Sequence, residues 1–425
     1  MASGVDSPLV LVTGATGFVS THVIKLLQGE GYKVRGTVRN LKDEDKVKQI
    51  RELSPDAQHP IELVEADLTK DEGWNEAVKD CSYVIHIASP VPSSPPVNED
   101  DILQPIVEGT KRVLQACADA GTIKRVVLTS STFAIHGETT LEEDKVYNES
   151  DWTDTESTTL DSYSKSKTLG EKGAWEFIKE LPDDKKFELA VINPGLVLGP
   201  VLSSTVSSSN EIVKKLLERG IPMVPRINLS VCDVRDVAEA HLKAMTTPSA
   251  NGQRYIISTQ NVWLKDIALI LCKEFKPQGY RIPTMNAPYF ALWLNSFIDK
   301  SVRPVLPRIG KEYKFDNTRM KEVLEINPLD LTQTIVDTAY SLIEHGIVKK
   351  SKKYKQGKKE EEDQPVEEEK KTEEEIKQEG KSKEKVENNS GDKNEKEKPT
   401  ELEPEDKPEK VDDEQAKSEI EATEK

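Results

Sequence analysis

Tyr163 and Lys167 stand four residues apart in Asp161-Ser162-Tyr163-Ser164-Lys165-Ser166-Lys167, a spacing that puts both on one face of a helix. An ammonium beneath a phenol stabilises the phenolate and lowers its pKa toward working pH, so Tyr163 reads as a proton-transfer group tuned by Lys167. About thirty residues earlier, an apolar run ending at Thr129 is followed by Ser130-Ser131-Thr132. Hydroxyls at the C-terminal edge of a strand point into the crevice where doubly wound sheets bind ligands, although they also cap following segments. The third piece is Leu9-Val10-Leu11-Val12-Thr13-Gly14-Ala15-Thr16-Gly17-Phe18-Val19, which reads as strand, glycine turn and helix. Glycine lets the backbone come close to a phosphate, and the free N–H groups and dipole of the helix face the anion. A Tyr-x-x-x-Lys pair alone occurs by chance in many helices. Behind a glycine turn and a serine-tipped strand, in that order, it points to proton transfer beside a phosphate-bearing cofactor.

The second strand, 32–39, ends in Arg39, with Lys42 and Lys46 following and no acid at its tip. In a dinucleotide fold that tip approaches the adenosine ribose, where a carboxylate favours a free 2′-hydroxyl and an arginine accommodates a 2′-phosphate. The cofactor expected is therefore NADP(H) rather than NAD(H). A third strand over 61–68 ends near Asp67, a short helix covers 71–79, and a fourth strand over 83–90 is apolar throughout, as one buried on both faces should be. His86 lies inside that strand and reads as a packed, hydrogen-bonded core histidine. The prolines between Pro90 and Pro96 form a rigid loop near the expected ligand, a helix spans 102–120 and a strand spans 125–129. Strand and helix alternate, which predicts an α/β, Rossmann-type doubly wound parallel sheet.

Beyond Asn193-Pro194-Gly195 the pattern loosens, with helices expected over 211–218, 234–245 and 262–275, so a smaller α/β substrate lobe is expected mainly from 196 onward. The segment 285–298 is the greasiest of this half. At about 14 residues, broken by proline and asparagine, it is too short to span a bilayer and is expected to be a buried or pocket-lining helix. Asn317 or Thr318 is expected to cap the helix that follows it, and a last helix over 331–347 closes a reductase domain of residues 8–350.

Composition bounds the rest. The chain has 425 residues and a net charge of −17. Residues 351–425 hold 27 acidic and 18 basic side chains, a net of −9, with Tyr354 as their one aromatic. That stretch buries too little apolar surface to offset the entropy of ordering and is expected to be a disordered tail, free to meet a partner not yet identified. Cys81, Cys117, Cys232 and Cys272 are far apart and lack metal or disulfide spacing. A reducing, cytoplasmic setting is expected, with no membrane span and no nucleic-acid partner for an acidic chain.

These landmarks together resemble the extended short-chain dehydrogenase/reductases, in particular the dihydroflavonol-reductase-like branch of NADPH-dependent carbonyl reductases. The likeness covers roughly residues 9–348. It rests on Thr13 to Phe18, Val38-Arg39, Ala66-Asp67-Leu68, His86 to Pro90, Thr129 to Ser131, Tyr163 to Lys167, Asn193-Pro194-Gly195 and the segment from Val231 to His241. The resemblance implies that Tyr163 donates a proton to a substrate carbonyl, Lys167 binds the nicotinamide ribose and Ser131 holds the carbonyl oxygen. It implies further that Gly14 and Gly17 admit the pyrophosphate, Arg39 and Lys46 the 2′-phosphate, and Asp67 with Leu68 the adenine. Pro194 would line the nicotinamide pocket, with Thr13, Phe18, Val19 and Ala88 also in contact with the cofactor and no metal needed. The substrate implied is a small aldehyde or ketone.

Three departures qualify the likeness. Ser20 replaces the third glycine of the turn. His136 stands where flavonoid reducers carry asparagine, so flavonoid selectivity is not carried over. The Tyr163 segment lacks the asparagine- and tryptophan-rich signature of cinnamoyl-CoA reductases, so that substrate is not carried over either. A hydroxysteroid-type dehydrogenase and a non-catalytic NADP(H)-binding sensor are the alternatives this sequence leaves.

Overall fold

Four apolar residues in a row followed by a glycine turn give the chain its first strand, and the same unit repeats. A computed structural model describes residues 7–89, 100–140, 142, 144–204, 206–299, 302–303 and 305–355. The order begins β1 (Leu9–Val12), α1 (Phe18–Gly29), β2 (Lys33–Val38), α2 (Glu44–Arg51), β3 (Glu62–Glu65), α3 (Trp74–Val78), β4 (Tyr83–His86), α4 (Asp100–Ala120) and β5 (Arg125–Thr129). Then come β6 (Val146–Tyr147), α5 (Ser162–Glu180), β7 (Glu188–Pro194), β8 (Leu196–Leu198), α6 (Glu211–Leu217), β9 (Asn228–Asp233) and α7 (Val234–Thr246). The rest is β10 (Arg254–Ile257), β11 (Gln260–Trp263), α8 (Leu264–Phe275), α9 (Tyr289–Asn295), β12 (Lys314–Phe315), α10 (Thr318–Glu322) and α11 (Leu331–Glu344).

Seven strands form one sheet in the order β3-β2-β1-β4-β5-β7-β10, with every neighbouring pair parallel. Alternation along β1 divides the core. Val10 and Val12 pack with Val23, Ile24 and Leu27 of α1 and Val237 and Ala240 of α7, whereas Leu11 packs on the other face with Trp74, Val113 and Leu114. The strand order reverses between β1 and β4, which opens the crevice at their C-terminal ends.

The lobe expected from 196 onward is only partly separate. β8, β9 and β11 make a three-stranded sheet whose own core includes Leu216, Ile267, Leu271, Phe275, Ile335 and Leu342. β10, however, returns to pair with β7, and α7 packs into the core shared with α1. Short apolar runs carry no mark of which sheet they will join, so the sequence could not divide them.

Three other expectations need correction. The segment 285–298 is largely exposed rather than buried, with Phe290 and Phe297 both more than half accessible. Its apolar content called for a cover, but no other part of the described chain supplies one. Asn317 holds the N-cap position of α10 but makes no side-chain cap bond, because its amide turns to the Ser258 carbonyl at 2.6 Å; Asp316, one residue earlier, accepts the Thr318 N–H at 2.9 Å instead. Folded structure also runs past 350. Ser351 donates to the Gln278 carbonyl, the Tyr354 hydroxyl donates to Glu344 at 3.2 Å, and the Lys355 N–H reaches Gln278 Oε1 at 3.1 Å. The tail expected beyond these residues and the Pro90–Pro96 loop lie outside the described residues. Among the described residues no helix is long and apolar enough to cross a membrane.

Candidate active site

β1 runs into Thr13, whose buried hydroxyl accepts the N–H groups of Ile87 at 3.0 Å and Ala88 at 2.9 Å and lies 2.8 Å from His86 Nδ1. Burial, helped by the charge of Lys167, pushes the His86 imidazole down to about 3, so the neutral ring takes the hydroxyl proton at Nδ1. The Thr13 hydroxyl thus ties β1 to β4 at the start of the glycine turn. His86 is the core histidine expected.

Gly14 sits at φ +67°, and a Cβ there would lie 3.1 Å from the Ala88 Cβ, so both conformation and space require glycine. Gly17 N–H closes the turn on the Gly14 carbonyl at 2.9 Å. The residue that replaces the third glycine, Ser20, is buried and its hydroxyl donates to the Thr13 carbonyl at 3.3 Å, so helix and strand stay joined there. No side chain caps α1 and no acid stands in its first turn, which leaves that turn's N–H groups and the positive helix end for an anion. These residues fit a dinucleotide diphosphate. Phe18 packs edge-on to His22 at 5.7 Å, Val19 is half-buried, and Pro194 is buried at the end of β7.

At the adenosine end, Thr69 donates to the Asp67 carboxylate through both its N–H and its hydroxyl at 2.9 Å. Those bonds hold the carboxyl below its usual range, with the charges of Lys70 and Arg39 adding to them. Arg39 is exposed beside it. The Leu68 carbonyl takes a hydrogen bond from Arg112 at 2.9 Å. Lys46 is paired with Asp43 at 2.7 Å on the exposed side of α2, with further ammonium N–H groups free to meet a phosphate.

α5 starts where it does because Asp161 caps it, its carboxylate accepting the N–H of Ser164 at 2.9 Å and the Ser164 hydroxyl at 2.8 Å. Tyr163 therefore falls in the first turn of α5, its ring edge-on to Phe133 at 6.0 Å. Ser131 lies in extended backbone after β5, and its Oγ accepts the Phe133 N–H at 3.2 Å while capping the short turn Thr132–Ala134. The hydroxyl thus serves the local turn and still stands at the strand tip. Gly137 brings this loop onto α5, since a Cβ there would fall 2.7 Å from the Ser164 Cβ.

Burial pushes the Tyr163 phenol up to about 12, with the Asp161 charge adding to it, and pushes Lys167 down to about 8 against the pull of Glu171. The spacing argument expected a lowered phenol, and burial reverses it. At neutral pH Tyr163 holds its proton, which is the form a proton donor requires.

Behind Lys167 stands a buried network that the motifs do not reveal. Glu171 Oε2 accepts from Asn193 Nδ2 at 2.8 Å, and the same amide nitrogen donates to the Ser131 carbonyl at 3.2 Å. Glu171 Oε1 pairs with Arg254 Nε at 2.5 Å, and the guanidinium lies 3.6 Å over the Trp152 ring. Glu171 follows Lys167 by four residues, a signal that could have found it; Arg254 and Trp152 carry none. Arg308 is a second omission, donating to the Gly137 carbonyl at 2.7 Å and Asp161 at 3.0 Å, with Phe133 beneath it. His136 stacks on Tyr147 at 3.9 Å and lies 3.1 Å from Glu138. Burial would raise the Glu138 carboxyl, but hydrogen bonds from His136 and the Asp154 N–H hold it at about 2. A recess at the ends of β4 and β5 is lined by His86, Ala88 and Ser130 and, from α5, by Lys167 and Glu171.

With this geometry in place, the comparisons are specific. Residues 10–258 match the model of the NAD dependent epimerase/dehydratase family. The chain belongs to that family. It is similar to cinnamoyl-CoA reductase 1 of Petunia hybrida, 36% identical over 80% of this chain and 94% of the relative. It is also 33% identical to an anthocyanidin reductase of Vitis vinifera over 64% of this chain and 82% of the relative. Among solved structures it matches the yeast methylglyoxal/isovaleraldehyde reductase Gre2 complexed with NADPH, with a TM-score of 0.65 and 30% identity, covering 80% of this chain and all of that one. As a member of this epimerase/dehydratase family, with relatives in its dihydroflavonol-reductase-like branch, the chain is an oxidoreductase of the short-chain dehydrogenase/reductase type.

Proposed function

We propose that this protein reduces a small aldehyde or ketone to the alcohol with NADPH, using Ser131, Tyr163 and Lys167. The observation that carries the reading is a recess at the ends of β4 and β5 that Lys167 lines, with Tyr163 one helical turn before it holding its proton at neutral pH, together with the uncapped first turn of α1. NADPH supplies the hydride. Ser131 Oγ donates a hydrogen bond to the substrate carbonyl oxygen, Tyr163 passes that oxygen its phenolic proton, and Lys167 holds the nicotinamide ribose. Gly14, Gly17 and the first turn of α1 receive the diphosphate, Arg39 the 2′-phosphate, and Asp67 and Leu68 border the adenine. The likeness to Gre2 and to the plant reductases supports a general carbonyl reductase.

Consumption of NADPH absorbance with a panel of aliphatic and aromatic aldehydes and ketones, run beside NADH, tests the reading. Turnover with at least one carbonyl and a preference for NADPH is expected; no oxidation with any panel member sinks it. Replacing Arg39 with Ala should raise KM for NADPH and cut the preference over NADH by about tenfold to a hundredfold, the scale of one charge-assisted phosphate contact. An unchanged preference removes Arg39 from the 2′-phosphate site. The reduction rate should also fall as pH rises through about 8, where Lys167 loses its proton, and a profile flat to pH 10 would contradict that assignment.

A further inference from the structure

The segment 285–298 presents Met285, Tyr289, Phe290, Trp293, Leu294, Phe297 and Ile298 to solvent, with accessibilities from 48% at Trp293 to 88% at Ile298. Its inner side is anchored. Val224 N–H bonds to the Met285 carbonyl and Ala287 N–H to the Val224 carbonyl, both at 2.8 Å, and Ser296 is buried beneath the turn that continues past α9. The exposed side chains are ordered by the helix. Tyr289, Trp293 and Phe297 form one row at spacing four, and Phe290, Leu294 and Ile298 form the next. Trp293 and Phe297 pack edge to face at 4.9 Å within their row.

Two adjacent rows at spacing four make a ridge and groove that interdigitate with a like pair on another helix, the commonest mode of helix packing. At roughly 150–250 Å² for each large aromatic when fully covered, the exposed ring and aliphatic surface amounts to roughly 800 Å². That exceeds the ~300–600 Å² of the largest patch on a typical monomer and equals one partner's share of a standard protein interface, about 800 Å². The composition is that of an interface centre, rich in Trp, Tyr, Phe and Met.

We infer that this ridge is a homodimer interface, in which α9 and the following turn pack on the same segment of a second copy across a two-fold axis. A two-fold contact brings like residues near each other, and residues 285–298 contain no Lys, Arg, Asp or Glu to repel a copy of themselves. The same lack of basic residues argues against an anionic membrane surface, where interfacial helices carry lysine and arginine, and the chain's charge of −17 adds repulsion. This inference does not depend on the reductase reading, since none of these side chains belongs to the candidate catalytic set.

Sedimentation equilibrium of the full chain at 1–50 μM tests it. The expected result is a species of twice the 47.6 kDa chain mass. Phe290→Glu and Leu294→Glu, made separately and checked for native circular dichroism, should each shift the dimer constant at least a hundredfold toward monomer. Hydrogen exchange of the unaltered chain supplies a measurement without substitution, with protection at 289–298 rising with protein concentration. A wild-type monomer at 50 μM overturns the inference, as does a dimer that persists in folded variants. Co-sedimentation of a monomer with phosphatidylcholine/phosphatidylserine vesicles, lost in the variants, would assign the ridge to a membrane surface and equally overturn it.

Discussion

Tyr163→Phe should lower kcat for carbonyl reduction by about 10²–10⁴-fold, the range that a positioned general acid contributes. The substitution deletes one oxygen and keeps the ring that packs edge-on to Phe133, so the fold and the turn at Gly14 are left in place. NADPH affinity, read by quenching of protein fluorescence, should stay within about threefold of the parent, because Lys167 and Arg39 are untouched. Loss of kcat with cofactor binding retained places the phenol at the chemical step. A variant as active as the parent would remove Tyr163 from the mechanism, and a variant that also fails to bind NADPH would recast it as a cofactor contact. Direction follows from the same group. A phenol near 12 keeps its proton throughout the physiological range, so the enzyme should favour reduction and oxidise alcohols efficiently only at strongly alkaline pH.

Glu171→Ala should destabilise the protein by about 3–5 kcal/mol, the usual cost of stranding one member of a buried ion pair. Arg254 would then keep its charge in the interior, with only backbone carbonyls and the Trp152 ring to receive it. Chemical denaturation measures this loss. Glu171→Leu combined with Arg254→Met should recover most of the stability, since a buried pair replaced by apolar side chains of similar volume is often neutral. The pH profile should not recover. Glu171 pulls the Lys167 pKa upward against burial, so without that carboxylate the lysine loses its proton at lower pH, and reduction should begin to fall well below 8 in both variants. Recovery of the parental profile in the double variant would show that Glu171 acts on stability alone.

The first half of the fold was legible because each strand there is a short apolar run closed by glycine, hydroxyl or charged residues, and each helix between strands is bounded in the same way. Gly14, Ala88 and Ser131 follow the C-terminal ends of β1, β4 and β5 as the alternation of strand and helix predicts, and Tyr163 and Lys167 stand in the first two turns of α5. What escaped the sequence depended on burial or on distance along the chain. Spacing showed Lys167 near Tyr163 but not how deeply the phenol is buried, and burial decides the direction of its pKa. Arg254 lies 83 residues from Glu171 and no motif joins them. Nothing in the sequence showed that the Thr13 hydroxyl would bind three partners at the end of β4. The greasy 285–298 segment announced a need for cover without naming what supplies it.

The Asn193 amide nitrogen is bonded at once to the Ser131 carbonyl and to Glu171. Replacing Glu171 removes one of that amide's two acceptors, so substitutions at Asn193 and Glu171 should be non-additive. Phe133 against the Tyr163 ring, His136 on Tyr147 and Arg308 at the Gly137 carbonyl make their contacts without Asn193. Substitutions at these three positions should therefore add independently to changes at Asn193 and Glu171.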